Sequence, residues 1–156
     1  MNKAIMIGCD LHDERMVMRL SVDGASSFSK RWQTCDVEGL IEYLKALAQE
    51  HGVSRTVFVY EASGRGFGLY DLLQAAGIEC HVLAPTHLPY SAHRHKNKTD
   101  DKDAEMLLDE VRGFVMAGRS LPSVWVPDPQ TRCDRDLVRR RLEHGEQRSR
   151  IKNQIR

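Results

Sequence analysis

Thr56-Val57-Phe58-Val59-Tyr60-Glu61 is a run of β-branched and aromatic residues closed by an acid. Five such residues without alternation read as a strand buried on both faces. Upstream, Leu40, Ile41, Leu44, Leu47 and Ala48 recur at helical spacing, with Asp36 near the start and Gly52 past the end. Downstream, Leu69, Leu72, Leu73 and Ala76 mark a second helix stopped by Gly77, and Ile78 to Ala84 is a further strand stopped by Pro85. Helix and strand in alternation predict parallel strands joined by helical crossovers.

The chain before residue 36 has another rhythm. Ala4 to Cys9 is an apolar run ending at Asp10, Met16 to Val22 is a second strand, and Asp23-Gly24 signals a hairpin turn. Ser27 to Trp32 is a weaker third strand, which completes an antiparallel meander. After a polar loop over 86–98, a third helix is predicted from about Thr99. Its stripe is Ala104, Leu107, Leu108, Val111 and Val115, and Gly118 closes it. Leu121 to Pro129 reads as an extended connector with three prolines. A last helix from about Thr131 meets no stop signal before Arg156, so the natural protein is expected to continue beyond it. The expected class is α/β: a mixed five-stranded sheet, meander plus parallel strands, flanked by helices and followed by a basic helix.

Bulk properties narrow the function. An apolar fraction of 41% over 156 residues can build one core, with a short appendage. No apolar run approaches the about 20 residues that span a bilayer, so no membrane partner is expected. The opening residues resemble a poor signal peptide, but Asp10 and Asp13-Glu14-Arg15 interrupt it, and a buried strand is the better reading. Cys9, Cys35, Cys80 and Cys133 are scattered without a Cys-x-x-Cys pair, which predicts reduced thiols in a cytoplasm. The net charge of +1 is unevenly spread. Residues 132–156 hold nine Lys/Arg against four acids, a net of +5, while residues 1–131 hold 14 against 18, a net of −4. A mildly acidic body with a basic tail fits a protein that meets polyanions along one element, although a solvated helix face has the same composition.

Four acids stand where solvation does not explain them. Asp10 and Glu61 each end an apolar strand, and Asp100 and Asp103 open the third helix. Adjacent parallel strands would bring Asp10 and Glu61 to one sheet edge, where ligands gather in open α/β folds. Asp100 and Asp103, three apart, share a helix face that continues through Leu107 beside the buried stripe. Asp101 is rotated by about 100° from Asp100 and is assigned to solvent. Crowded carboxylates repel one another unless a cation joins them, and hard oxygen donors select Mg²⁺, with Mn²⁺ as a substitute. Singly, each acid is as well explained by a solvated strand end or a helix cap. It is their convergence that points to phosphodiester chemistry.

Three segments carry a resemblance: Gly8-Cys9-Asp10-Leu11-His12, Tyr60-Glu61-Ala62-Ser63-Gly64 and Lys98-Thr99-Asp100-Asp101-Lys102-Asp103-Ala104. Together with Pro85 and Val124-Trp125-Val126-Pro127, they resemble the DEDD transposases of the insertion-sequence-110 family, relatives of the Piv-type DNA invertases. The resemblance spans nearly the whole chain, and Lys-Thr-Asp-x-x-Asp-Ala is its most specific part. It implies an RNase H-like domain similar to that of Holliday-junction resolvases, over residues 1–128. It implies a catalytic, metal-binding tetrad of Asp10, Glu61, Asp100 and Asp103. It also implies that 129–156 begins a coiled-coil linker to a second domain bearing a serine nucleophile. The partners it implies are DNA, for some members a structured guide RNA, and further copies of the same chain. Asp13 departs from the pattern, standing where the family usually has a basic residue. Ser63 replaces a common Thr, and Asp101 a frequent Arg.

Arg94, Lys96 and Lys98 in the loop, Lys102 beside the acids, and Arg139, Arg140 and Arg141 in the last helix are candidate nucleic-acid contacts. A mobile solvated loop explains the first three equally well. His12, two residues past Asp10, would point to the same side and either support the metal, contact DNA or lie at the surface. Cys80, His81, His87, His93 and His95 match no tetrahedral zinc spacing. Gly64-Arg65-Gly66-Phe67-Gly68 lacks the Lys-Ser/Thr of a phosphate loop and reads as a tight strand-to-helix turn. Trp32 and Trp125 are expected to pack rather than to stack bases. The expected function is metal-dependent DNA cleavage and strand transfer. The alternatives are a stand-alone resolvase-like nuclease, or a non-catalytic nucleic-acid-binding or dimerisation module.

Overall fold

The structure, a computed structural model, describes residues 3–88 and 99–155. Its elements run β1 (Ala4–Leu11), β2 (Arg15–Val22), β3 (Phe28–Gln33), α1 (Val37–Glu50), β4 (Arg55–Glu61), α2 (Gly68–Ala75), β5 (Glu79–Leu83), a 3₁₀ turn (Pro85–His87), α3 (Asp100–Ala117) and α4 (Pro129–Gln154). The chain divides into two units, Met1–Val124 and Trp125–Arg156.

In the first unit the strands form one sheet in the order β3-β2-β1-β4-β5. β1 and β2, and β2 and β3, pair antiparallel, while β1 pairs parallel with β4 and β4 with β5. This is the mixed five-stranded sheet expected, with the meander on one side and the crossover strands on the other. Asp23, at φ 50°, and Gly24, at φ 76°, make the β2–β3 turn, a left-handed conformation that glycine adopts without strain.

Both faces of the sheet are covered, which accounts for the unbroken apolar runs of β1 and β4. On one face Met6, Val57, Val59 and Leu83 pack with Met106, Leu107, Leu108 and Val111 of α3. On the other, Cys9, Phe58, Tyr60 and Cys80 are buried, and α2 contacts β5. Burial pushes the Cys9 and Cys80 thiols up, so neither suits nucleophilic chemistry. The four cysteines are free. The connector expected after α3 also joins the sheet edge. Ala84 and Val124 donate to Pro122 and Val82 at 2.8 Å, with a bridge between Leu83 and Ser123. That pairing shields the outer strand, and prolines concealed it in the sequence.

α3 lies unusually close to β1. A Cβ on Gly8 would stand 2.2 Å from the Leu108 nitrogen and 2.4 Å from the Ala104 oxygen, so the helix backbone rests on the strand backbone. Arg19 and Ser27 clamp the same helix through Glu105, which also meets Arg112. Burial would raise the Glu105 carboxyl, but hydrogen bonds from Arg19 and Ser27 and the charges of Arg19 and Arg112 hold it below its ordinary value.

In the second unit α4 is a 26-residue helix. Pro129 occupies its first turn, and the Asp128 side chain accepts from the Thr131 amide. The Arg135 guanidinium lies 5.3 Å from the centre of the exposed Trp125 ring. Leu137, Val138, Leu142, Ile151 and Ile155 are exposed along it. No helix among the described residues is long and apolar enough to cross a membrane.

Two measurements check this packing. Gly8→Ala forces the α3 backbone away from β1 and should cost about 3 kcal/mol or more in urea unfolding, the upper end for overpacking, because the atoms met are backbone. Glu105 has a depressed pKa in the folded state, so its contribution to stability is present above the unfolded value of about 4.3 and is lost as pH falls through the folded one. Melting temperature followed from pH 6 down to about 3 should therefore drop less steeply in Glu105→Gln than in the parent chain.

Candidate metal centre at the carboxyl edge of the sheet

The parallel register aligns Met6 with Val57, Gly8 with Val59 and Cys9 with Tyr60. One further step sets Asp10 beside Glu61, on the sheet face that carries α3. The helix runs against the direction of β1: Leu107 and Leu108 pack near Met6, the Ala104 carbonyl lies over Gly8, and the first turn reaches the level of Asp10. The hairpin between β1 and β2 returns at the same edge.

Three side chains converge there. Oxygens of Asp10 and Asp100 and a ring nitrogen of His12 all lie within 4.8 Å of one another. His12 Nε2 is 3.0 Å from Asp10 Oδ2 and 3.5 Å from Asp100 Oδ1. Asp10 is the most enclosed, with 19% of its side chain exposed against 34% for Asp100 and 39% for His12. Arg15 donates to the other oxygen of Asp100 at 2.7 Å. Asp100 therefore divides its carboxylate, one oxygen toward Arg15 and one toward the cluster.

Of the four acids singled out in the sequence, Asp10 and Asp100 share this cluster. Glu61, half-buried at the end of β4, lies beside Asp10 in register, and Asp103 is half-buried in the first turn of α3. Neither enters the three-atom group. Asp101 keeps 43% of its side chain exposed, as expected, but it is also tethered to the edge strand. Ser29 donates to it at 2.6 Å and Arg31 approaches at 3.5 Å. The Ser29 hydrogen bond, helped by the charges of Arg31 and Arg19, holds its carboxyl below the ordinary range. The sequence could not show this tether, because it depends on the meander's edge strand reaching this side of α3.

Lys102 is exposed on α3, and Arg139, Arg140 and Arg141 are exposed on α4, with Arg139 3.3 Å from Asp136. Arg94, Lys96 and Lys98 lie outside the described residues. So do His93 and His95, while Cys80, His81 and His87 form no metal-ligating group among the described residues. Gly66 has φ 74°, as a tight turn after β4 requires. Arg65 in that turn donates to the Asp13 carboxylate at 2.7 Å and to its carbonyl at 3.1 Å. The unusual acid at position 13 thus ties the β1–β2 hairpin to the β4–α2 loop. Arg15 was missed by sequence reading: its place opposite Asp100 depends on a hairpin that brings it back across the sheet edge.

The donor set fits a divalent cation. Carboxylate oxygens at one enclosed edge repel one another when bare, and a shared ion relieves that repulsion. Fold and site together define an α/β domain with a candidate metal centre at the carboxyl ends of its parallel strands. The chain belongs to the DEDD transposases of the IS110 family, whose profile, described as Transposase, matches residues 7–156. A candidate transposase of Sinorhizobium fredii, y4rJ, is 32% identical over 97% of this chain and 40% of its own length. The transposase for insertion sequence element IS1533 of Leptospira borgpetersenii is 28% identical over 97% of this chain and 43% of its own. The chain therefore spans about two fifths of the length of these relatives. Among solved structures, Thermus thermophilus RuvC superposes with a TM-score of 0.49 at 9% identity, over 76% of this chain and 99% of that one.

Arg15 holds the far oxygen of Asp100 and so sets a positive charge beside any cation at the near one, a repulsion that outweighs the orientation it provides. Arg15→Ala should change stability by less than about 1 kcal/mol, since the pair is exposed. It should tighten Mn²⁺ binding by about two- to fivefold, the same range of energy expressed as affinity. Calorimetric titration of Mn²⁺ into both proteins checks this; unchanged or weaker binding would count against a cation at Asp100.

Proposed function

We infer that this chain is the catalytic domain of a DNA transposase, in which Asp10, Glu61, Asp100 and Asp103 hold Mg²⁺, or Mn²⁺ in its place, for DNA cleavage and strand transfer. The observation that carries this reading is the gathering of Asp10 and Asp100 donors within 4.8 Å at the carboxyl edge of the sheet, in a chain of this family. A bound divalent ion would supply Lewis-acid stabilisation of the charge that develops at a scissile phosphate. The chain's own residues do the rest. Asp10, fixed at the end of a buried strand, and Asp100, oriented by Arg15, set the direction in which donor oxygens face. Arg94, Lys96, Lys98 and Lys102 are assigned to the backbone of the DNA entering that edge, and Arg139, Arg140 and Arg141 to nucleic acid along α4.

We assign residues 1–128 to the catalytic domain and 129–156 to the start of a coiled-coil linker toward a second domain. The limited span against the relatives supports that division of labour. Complete transposition, pairing between protomers and guidance by RNA belong to the full-length protein in this reading.

Cleavage of supercoiled and branched DNA with Mg²⁺ or Mn²⁺ tests it. Activity should vanish with a chelator and fall about a hundredfold or more in Asp10→Asn, at least the upper range seen when even an outer-sphere partner of a metal is lost. Efficient cutting of branched DNA with no further domain would favour the stand-alone nuclease. Activity indifferent to chelator and to Asp10→Asn would overturn the assignment of the acids.

A further inference from the structure

His12 belongs to none of the assigned roles, yet its Nε2 lies 3.0 Å from Asp10 Oδ2. We propose that His12 is itself a ligand of the ion, its Nε2 joining one oxygen of Asp10 and one of Asp100, and that the site consequently prefers Mn²⁺ and neighbouring transition-metal ions to Mg²⁺. This rests on the reading that the edge carboxylates bind a divalent cation and adds the identity of the third donor.

The spacing supports it. Adjacent ligands of an octahedral ion with bonds of about 2.1 Å are about 3.0 Å apart. His12 Nε2 lies 3.0 Å from Asp10 Oδ2 and 3.5 Å from Asp100 Oδ1, and the three donor atoms fall within 4.8 Å. Two of these separations are close to that of adjacent octahedral ligands, so one ion could take all three donors with a modest closing of the Asp10–Asp100 edge and keep its remaining positions for water or phosphate oxygens.

The environment of the nitrogen points the same way. Nε2 is shielded from solvent although much of the ring is not, and it makes no aligned hydrogen bond among the described residues. A polar atom turned inward beside two carboxylates and left without such a bond is poorly placed unless a further group belongs there. Its position is also built in. The His12 amide donates to the Arg15 carbonyl at 2.9 Å, and the Thr34 hydroxyl donates to the His12 carbonyl at 3.0 Å. The hairpin backbone is thereby fixed and the ring held over the edge, while Arg15 draws off only the far oxygen of Asp100.

The choice of ion follows from donor chemistry. Mg²⁺ favours oxygen ligands and retains its waters, whereas imidazole suits transition metals. Replacing one oxygen donor by a ring nitrogen shifts the balance away from Mg²⁺.

The test is Mn²⁺ titration of the 156-residue chain with pulsed electron paramagnetic resonance, which detects a nitrogen bonded to the ion without reference to activity. The chain has seven histidines, so His12→Gln and His12→Asn assign the signal, and Asp10→Asn reports on the carboxylate site. Expected are nitrogen coupling in the parent chain, its loss in both His12 variants, and a fall in Mn²⁺ affinity of about tenfold or more. The preference over Mg²⁺ should shrink with it. If Mn²⁺ binds and is lost in Asp10→Asn, but nitrogen coupling is absent or survives both His12 variants, His12 ligation is overturned and the carboxylate site stands. If Mn²⁺ does not bind, or binds regardless of Asp10→Asn, both readings fall. Absence of nitrogen coupling in the parent spectrum overturns His12 ligation by itself, whatever the variants do to folding.

Discussion

The backbone of α3 rests directly on Gly8, and the geometry of the whole edge depends on that contact. Ala104 and Leu108 meet the strand where any side chain would intrude. Two residues further along β1 is Asp10, and one turn earlier along α3 is Asp100. A helix held off by even a methyl group would carry its first turn away from the strand end. Core packing and donor geometry are therefore a single constraint: the same close approach that buries Met106, Leu107 and Leu108 brings acids distant in sequence to one level. Because interiors are close-packed, that level is transmitted rather than absorbed.

Acids at such an edge need restraint as well as proximity. Arginines supply it from three directions: Arg15 toward Asp100, Arg31 toward Asp101 and Arg65 toward Asp13. Each pair is exposed on at least one side and individually worth little. Their effect is on orientation. Arg65 joins two loops, Arg31 and Ser29 tie α3 to the edge strand, and Arg15 selects which oxygen of Asp100 faces inward. Deeper along α3, Glu105 performs the same service between Arg19 and Arg112.

Much of this was legible in the sequence because it rests on periodicity. The runs ending at Asp10 and Glu61 and the stripe through Ala104, Leu108 and Val111 declare their elements, since a strand repeats every two residues and a helix every 3.6. Alternation of helix and strand declared the parallel pairs. What escaped depends on pairing across long sequence distances. Gly8 is an ordinary glycine until α3 lies on it. Asp101 belongs to solvent by helical rotation alone, and only the reach of β3 makes it a partner of Ser29. His12 was on the expected side of the chain, but its approach to Asp100 requires α3 in place. The pairing of Ser123 with the sheet edge was hidden by prolines that signal only irregular backbone.

Charge distribution adds a last step. The acidic excess of residues 1–131 would repel a polyanion from the very edge where the donors gather. In the proposed reading a divalent ion would reverse that sign locally, and the basic excess after residue 131 would attract nucleic acid along α4. Binding and chemistry then draw on different charges. The contribution of α4 is screened by salt, since exposed arginines act through a Debye length of about 8 Å at physiological ionic strength. The contribution of the edge depends on occupancy by a cation held at contact distance, which salt weakens far less. In the proposed reading, nucleic acid would be gathered by one set of charges and the reaction would depend on another.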